Sequence, residues 1–570
     1  MAPVLAAALA GGVAMQAWAQ SVEAPGFRPG REGERFQEPA RPKSGIELSI
    51  PEGGGGAVAP EAERIKFQLT AVVIEGDTIH GADPWAPLYR PLLEKKDVSL
   101  GDIYRLAEAI TLRYRDEGYL LSRALVPAQK VAGGVVRIRV IEGYIEEIGI
   151  EGEGLGQDDP IRRLVMPYLE QIKASRPTRI QDLERYLLLI NDMAGIKSRA
   201  VIRPASKGGA GASELLLVIE RKRADAALSF DNYGSKYVGP WEGLAEANLN
   251  SALGYGERLT VRALGAHPAS ELRFGQGGFD LPLGPRGLAL HGSASYSKSK
   301  PGYLLKPLDV QAETWSEEAS LTYAPIRSRA ENLTFQMGYR QRDVTTDVLA
   351  SRFNEDHIRE LYLNTTYDFA DAFGGNNLAS VVATQGLPWA GATRKNDSLS
   401  SRPGASANFQ KIGGEVLRLQ DVTETVSLVL GGQWQYALRP QFSSEEFALG
   451  GKTYGRGYDS AEIQGDRGIA GKVELRWREA PEWGPLKGLM TYGFYDAGMV
   501  WNSDRVDQGG ANEQRSLASA GLGVQAAVED WMSAKLELAK PLTRMPAANA
   551  SKPSDEHKDP NLYFTLTTKF

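Results

Sequence analysis

The chain contains no cysteine, so neither a disulfide framework nor a thiolate metal site can be built from it. Its 570 residues include five histidines, too few for histidine-based metal or acid–base chemistry to be expected. Beyond the N-terminus, no stretch approaches the roughly 18–20 continuous apolar residues of a membrane-spanning helix. Basic residues are not in surplus: 65 Lys and Arg face 71 Asp and Glu, for a net charge of −6. That balance argues against nucleic acid as the partner. There is no G-x-x-x-x-G-K-[ST] phosphate loop, no G-x-S-x-G elbow and no H-E-x-x-H pair, so no enzyme class and no cofactor is indicated. What remains is a chain with 42% hydrophobic residues and a mean hydropathy of −0.31. Both a soluble protein and a transmembrane barrel fit those values, because barrel strands alternate apolar with polar residues. The length exceeds one ordinary domain.

Residues 1–19 are small and apolar and end in Ala17-Trp18-Ala19, the pattern of a secretory signal peptide. No Lys or Arg precedes Arg28, so the usual basic start is missing, which points to a displaced start codon or a truncated chain. Residues 20–63, rich in Pro, Gly and charge, read as a linker with a weak helical signal around Arg31–Gln37.

Residues 64–144 and 145–223 read as two copies of one β-α-α-β-β module. In the first, Asp83-Pro84 has the form of a helix start and Ser99 with Asp102 that of a capping box. Ile103, Leu106, Ile110 and Tyr114 then share one helical face, and Gly118 closes it. Val136, Ile138 and Val140 alternate with Arg137 and Arg139, the period of a strand. In the second copy Asp159-Pro160 opens one helix. Thr178 with Gln181 forms a capping box for another, faced by Ile180, Leu183, Leu187 and Ile190.

From residue 224 to 570 the helical period gives way to alternation. Leu228 and Phe230 alternate with Ser229 and Asp231, and Leu333, Phe335, Met337 and Tyr339 with Thr334, Gln336, Gly338 and Arg340. The last strand is the clearest, with Leu562, Phe564, Leu566 and Phe570 on one face. At roughly 20–22 residues per strand and connection, this length predicts a mostly β fold: a ~16-stranded antiparallel transmembrane barrel behind two α+β modules. Two other motifs read as plain surface chemistry: Glu355-Asp356-His357 as a polar loop and Asp466-Arg467 as a turn.

Several fragments, in this order and spacing, carry a family resemblance. They are GYLLSRALVPAQ at 118–129, VRIRVIEGYIEEI at 136–148, DNYGSKYVGPWEG at 231–243, FALGGKTYGRGY at 447–458 and FYDAGMV at 494–500. The chain resembles the two-partner secretion transporters (TpsB), outer-membrane exporters of large haemagglutinin- and haemolysin-like proteins. The modules look like POTRA domains, which lie in the periplasm. The resemblance implies a function, export of a specific unfolded exoprotein to the cell surface without ATP, with outer-membrane lipids and the barrel-assembly machinery as further partners. The alternatives are a barrel-assembly factor, which usually carries more than two such modules, and a passive porin or receptor, which needs none.

The resemblance also implies a site. A loop folds back into the barrel and its tip residues Gly455, Arg456, Gly457 and Tyr458 act as a latch, with Arg456 paired to Asp496. In a wet lumen such a pair contributes about 1–3 kcal/mol, a strength suited to opening. Phe570 is the implied barrel-assembly signal. Two departures stand out: Gly455 replaces the usual Val, which loosens the tip, and no long amphipathic plug helix is expected from the N-terminal segment.

Overall fold

A computed structural model describes residues 27, 29–36, 48–49, 60–81, 83–479, 484–503, 514–543 and 559–570. The signal peptide expected at 1–19 lies outside the described residues, as does most of the linker. A two-residue strand, β1 (Leu48–Ser49), precedes the modules.

The first module pairs β2 (Lys66–Phe67) with β4 (Val98–Ser99) beside a sheet of β3 (Ala71–Glu75), β5 (Arg123–Leu125) and β6 (Val135–Ile141). β6 is central, parallel to β3 and antiparallel to β5. Helices α1 (Ala86–Leu93) and α2 (Leu100–Asp116) cover one face. The capping box at α2 forms as its sequence requires: the Asp102 N–H donates to Ser99 Oγ at 3.0 Å, and the Ser99 N–H to the Asp102 carboxylate at 2.9 Å. Ile103, Leu106, Ile110 and Tyr114 are buried against Val136, Ile138 and Val140. Each such side chain contributes about 1.5–3 kcal/mol by leaving water. The start of α1 differs from the sequence expectation. Trp85 is its N-cap, without a side-chain bond to the helix N-terminus. Asp83 instead adopts a φ of 52° and accepts a hydrogen bond from the Tyr89 hydroxyl at 2.7 Å.

Under α2 lies a polar knot. Asp77 accepts from Trp85 Nε1 at 2.7 Å, the Tyr114 hydroxyl at 2.8 Å and His80 Nδ1 at 2.9 Å, while His80 Nε2 meets Glu117 at 2.7 Å. Burial works against charge on His80, but the hydrogen bonds to Glu117 and Asp77 outweigh it and raise its pKa above the usual 6.5. A raised histidine stabilises the fold fully below its unfolded pKa, and that stability is lost as pH rises through the folded value. The first module is therefore expected to open more readily at pH 8 than at pH 6. The measurement is amide exchange of α2 in the full-length protein. A His80→Gln variant should flatten the dependence; an unchanged pH slope in that variant would assign it elsewhere.

The second module repeats the topology with β7 (Tyr144–Glu151), α3 (Pro160–Ala174), α4 (Ile180–Asn191), β8 (Ile196–Pro204) and β9 (Ala212–Arg221). The central strand is again the last, β9, parallel to β7 and antiparallel to β8. Asp159 caps α3, accepting from the Ile161 N–H at 2.9 Å. Thr178 does not cap α4. Arg179 is the N-cap, and the Thr178 hydroxyl instead accepts from the Ile145 N–H at 3.2 Å, where a buried strand end needs it more.

The remaining strands close a sixteen-stranded antiparallel barrel. They are β10 (Ala224–Asp231), β11 (Trp241–Asn250), β12 (Arg258–His267), β13 (Leu272–Pro282), β14 (Leu288–Ser299), β15 (Gln311–Arg327), β16 (Glu331–Val348) and β17 (Ser351–Ala370). They continue with β18 (Gly375–Gly386), β19 (Gln410–Asp421) and β20 (Val426–Ala437). Two short strands, β21 (Phe447–Leu449) and β22 (Ile463–Gly465), pair with each other and, among the described residues, with no barrel strand. Then come β23 (Arg467–Glu479), β24 (Leu486–Trp501), β25 (Arg515–Val528), β26 (Met532–Pro541) and β27 (Asn561–Lys569). β27 closes on β10, from Ala227↔Lys569 to Asp231↔Thr565. Leu228, Phe230, Leu536, Leu538 and Leu562 point outward and are exposed, as a lipid-facing wall requires. Glu355-Asp356-His357 is part of β17 rather than a loop, and His357 Nδ1 lies 2.8 Å from Asp343 of the neighbouring strand. Connections on the module side are short, such as 251–257 and 328–330, whereas 387–409 and 438–466 on the far side are long. That asymmetry places the modules in the periplasm.

The second module is docked under one sector of the rim. Arg327, at the end of β15, is buried and reaches both Asp192 oxygens with 2.8 Å bonds, while its third nitrogen donates to Asn332 at 2.9 Å. Arg329 pairs with Glu184, and Arg185 donates to the carbonyls of Pro325 and Arg286. Arg327→Ala is expected to cost about 1–3 kcal/mol, the range for a charge-assisted hydrogen bond. It should speed amide exchange in α4 while leaving barrel amides unchanged; equal protection of α4 in variant and parent would show that other contacts carry the docking.

Candidate functional site

Residues 438–466, between β20 and β23, turn into the barrel instead of out into solvent. The β21–β22 hairpin buries Phe447, Leu449, Tyr454, Tyr458 and Ile463 against Ala470, Val500 and Leu517 of the inner wall. An apolar hairpin in the lumen covers itself this way rather than facing water. Gly455 has a φ of +79°, a conformation that a β-branched residue avoids, and a Cβ there would lie 2.5 Å from Leu517 Cδ1, so the tip as folded here takes a glycine at the position usually held by Val. Its carbonyl accepts from the Tyr458 N–H at 3.0 Å. Gly457 passes close to the wall: a Cβ there would lie 2.8 Å from the Pro541 nitrogen.

Arg456 sits between these glycines. Its Nε and one terminal nitrogen bind the two oxygens of Asp496 at 2.9 Å each, the fork geometry that Arg alone provides. The other terminal nitrogen reaches Glu474 at 2.7 Å and Glu537 at 3.5 Å. The guanidinium lies over the Phe494 ring, 3.5 Å from its centroid. Glu537 is itself held by the hydroxyls of Tyr492 at 2.6 Å and Tyr233 at 2.9 Å and by Lys535 at 3.0 Å, and Glu474 by Arg476 at 2.6 Å. Three carboxylates thus meet Arg456, Arg476 and Lys535. The pair was expected in a wet lumen. It is dry instead: Arg456 is 5% exposed and Asp496 is fully buried. Tyr458 completes the tip, its hydroxyl accepting from the Thr543 N–H at 2.9 Å.

Asp466, expected to be turn chemistry, is a second buried centre at the base of the loop. One oxygen accepts from Arg402 at 2.6 Å and the Gln441 N–H at 2.8 Å, the other from the Ser503 N–H and hydroxyl at 2.8 Å.

The segment read as a linker also enters the barrel. Glu32–Phe36 forms a short 3-10 helix. Phe27 is buried among Tyr237, Leu264, Leu272 and Phe274, and the Phe36 ring lies 5.5 Å from that of Phe274. Arg35 pairs with Glu242 on the wall, and Arg31 donates to the Glu446 carbonyl of the loop at 2.8 Å. The weak helical signal at Arg31–Gln37 falls on this turn; its place inside the barrel is hinted at in sequence only by Phe27 and Phe36, aromatics set in a Pro/Gly-rich stretch.

Of the sequence-predicted residues, Gly455, Arg456, Gly457, Tyr458 and Asp496 come together. Phe570 lies at the opposite, periplasmic end. Its backbone N–H donates to the Ala226 carbonyl at 2.8 Å, its own oxygen accepts from Lys222 Nζ at 2.7 Å, and its ring is exposed. Glu474 and Glu537 were missed, because an inward acid in a barrel strand looks like any other lumen charge; Asp466 was noticed but read as turn chemistry.

Comparison with known proteins agrees with this architecture. A family model described as haemolysin secretion/activation protein ShlB/FhaC/HecB matches residues 211–526, more than half of the chain. A ShlB-type POTRA model matches residues 67–143. The heme/hemopexin transporter protein HuxB of Haemophilus influenzae (strain 86-028NP) is 24% identical over 523 residues, covering 90% of each chain. The outer membrane transporter CdiB of Dickeya dadantii (strain 3937) is 23% identical, covering 78% of this chain and 77% of that one. The solved structure of CdiB from Escherichia coli superposes with a TM-score of 0.72 at 20% identity, covering 92% of this chain and 94% of that chain, and shares its fold.

Proposed function

The chain belongs to the haemolysin secretion/activation protein family, the outer-membrane transporters of two-partner secretion, and we propose that it exports one large haemagglutinin- or haemolysin-like exoprotein as an unfolded chain. The observation that carries this reading is the lumen. It is occupied by this chain's own polypeptide, the 438–466 loop and the segment from Phe27 to Phe36, packed on the inner wall. A conduit occupied by loop and linker rather than by barrel strands can pass another chain once those segments shift. In the periplasm the cargo presents unpaired backbone groups, and the modules offer sheet edges that accept an extended segment by strand addition. No nucleotide site is needed: folding of the cargo outside makes its return unfavourable. Arg456 and Asp496 act as the lock of the loop, with Gly455, Gly457 and Tyr458 shaping its tip. Phe570, exposed at the periplasmic rim, is the residue read by the barrel-assembly machinery, and the outward apolar wall is held by outer-membrane lipids.

The test is to express a candidate large haemagglutinin- or haemolysin-like exoprotein, with and without the chain, and assay the medium. Cargo should leave the periplasm only when the transporter is present. Cargo that stays periplasmic in both cells sinks the reading.

A further inference from the structure

Residues 387–409 join β18 to β19 on the side away from the modules, and β17 explains where they run. β17 spans Ser351–Ala370, but β18 pairs with it only from Glu360 to Ala370. Residues 351–359 therefore rise above β18 with one edge that meets no other strand among the described residues. Backbone groups on such an edge need partners. Residues 387–409 supply them. The Leu387 N–H donates to the Arg359 carbonyl at 2.7 Å and the Thr393 N–H to the His357 carbonyl at 3.0 Å, while the Leu399 carbonyl accepts from the Glu355 N–H at 2.6 Å. The Thr393 hydroxyl accepts from the His357 N–H at 2.7 Å, and Asp356 from the Ser401 N–H at 3.0 Å. The Glu355-Asp356-His357 motif is the seam on which the segment lies.

From that seam the segment crosses to the base of the lumen loop. The Arg402 guanidinium binds Asp466 at 2.6 Å, Glu446 at 2.9 Å and the Gln441 carbonyl at 3.0 Å. The Ser401 hydroxyl accepts from the Ser443 N–H at 3.1 Å. The Phe409 ring stands edge-on to Phe442 with centroids 6.2 Å apart, and both are fully buried beside Ala405 and the β17 residue Ile358. These partners, residues 441–446 and 466, are the two ends of the loop's inward excursion. Arg456, at its tip, pairs with none of them; its partners come from β23, β24 and β26. The loop is thus held twice, at the tip by the wall and at the base by residues 387–409. An idle surface loop stays solvated and mobile, whereas this one buries an arginine and a phenylalanine on what it crosses.

We propose that residues 387–409 are an extracellular strap that fastens the base of the lumen loop to the projecting end of β17, and that the strap must peel from β17 before the loop can clear the lumen. The proposal rests on the transporter reading above and adds to it a second fastening, separate from Arg456. Two fastenings that share no partner open independently, so the probability that both are open is the product of two small numbers. The closed barrel therefore stays shut when either one slips. The strap also sets where control is exerted. It lies on the cell-surface side, which the periplasmic modules do not reach, so what peels it is chain already in the lumen or a contact made from outside. The bonds it gives up are backbone bonds to residues 355–359 and the clasp at Arg402, all of which can re-form once the lumen empties. The strap is a reversible closure.

The absence of cysteine allows a clean test. Ser401→Cys with Ser443→Cys joins the strap to the loop base, and Glu355→Cys with Leu399→Cys joins it to β17. Gln385→Cys with Gln410→Cys ties the paired ends of β18 and β19 without touching the loop and is the control. The full-length variants are oxidised and the loss of free thiol is confirmed. Single-channel openings are then recorded in planar bilayers, and export of the exoprotein is measured in cells. In both strap pairs, openings and export should each fall at least tenfold on oxidation and recover on reduction, with no change in the control. Oxidised forms that open and export like their reduced forms overturn the proposal. So do a control that falls equally and reduced forms of both strap pairs that no longer export. Failure of the unsubstituted chain to export would count instead against the transporter reading, and the bilayer openings alone would then decide the strap.

Discussion

Arg456→Ala should destabilise the lumen loop by about 3–5 kcal/mol, the cost of removing one partner from a buried ion pair. The magnitude follows from burial. In water the pair would contribute less than 1 kcal/mol, but here Asp496 would be left buried without its ion-pair partner, while Glu474 and Glu537 would keep only Arg476 and Lys535. Arg456→Lys should fall between the two, since it keeps the charge but cannot hold both Asp496 oxygens and Glu474 at once. The readouts are thermal unfolding by tryptophan fluorescence and single-channel conductance in planar bilayers. The variant should unfold at lower temperature and show larger, more frequent openings. A double-mutant cycle with Asp496→Ala separates the pair from its surroundings and should return a coupling well above 1 kcal/mol. A variant with the parent's unfolding curve and the parent's conductance would remove the lock. A fastening of about 3–5 kcal/mol opens spontaneously in only roughly one part in 10² to 10⁴, so the proposed gating needs the arriving cargo to shift that population.

Asp466→Ala should release the base of the same loop. Its carboxylate is fully buried and collects Arg402, the Gln441 N–H and the Ser503 N–H and hydroxyl. Without it those donors lose their acceptor in a site water does not reach. Arg402 keeps Glu446 at 2.9 Å, so the expected cost is at the lower end of the same range, about 3 kcal/mol. Asp466→Asn keeps an acceptor on one side and should cost less. Trypsin added to intact cells provides the assay. Lys452, held by Asp231 at 2.6 Å in the parent, should be cut in Asp466→Ala and spared in the parent. Equal resistance in both would place the anchoring of the loop elsewhere.

The two variants probe what could not be read from residues alone. The barrel could be. Outward and inward residues alternate with a period of two, and a membrane wall with a wet interior imposes that period on every strand, so Leu562, Phe564 and Leu566 already implied the strand that closes on β10. The module order could be read too, because Ser99-Asp102 and Asp159-Pro160 are local signals whose bonds close within three residues. Thr178 and Asp83 show the limit: each has a capping residue's chemistry, but each spends its oxygen on a neighbour brought by the fold. The Arg456–Asp496 pair lies between these cases. The resemblance pointed to both residues, yet the strength of the pair depends on Glu474, Glu537 and Phe494, contributed by three different strands, and on a burial that no spacing encodes. The same holds for residues 27–36 and β1. Composition marks them as linker, since a short segment carries no period of its own. Only the tertiary structure supplies the inner wall and the open edge of β8 that give them a place.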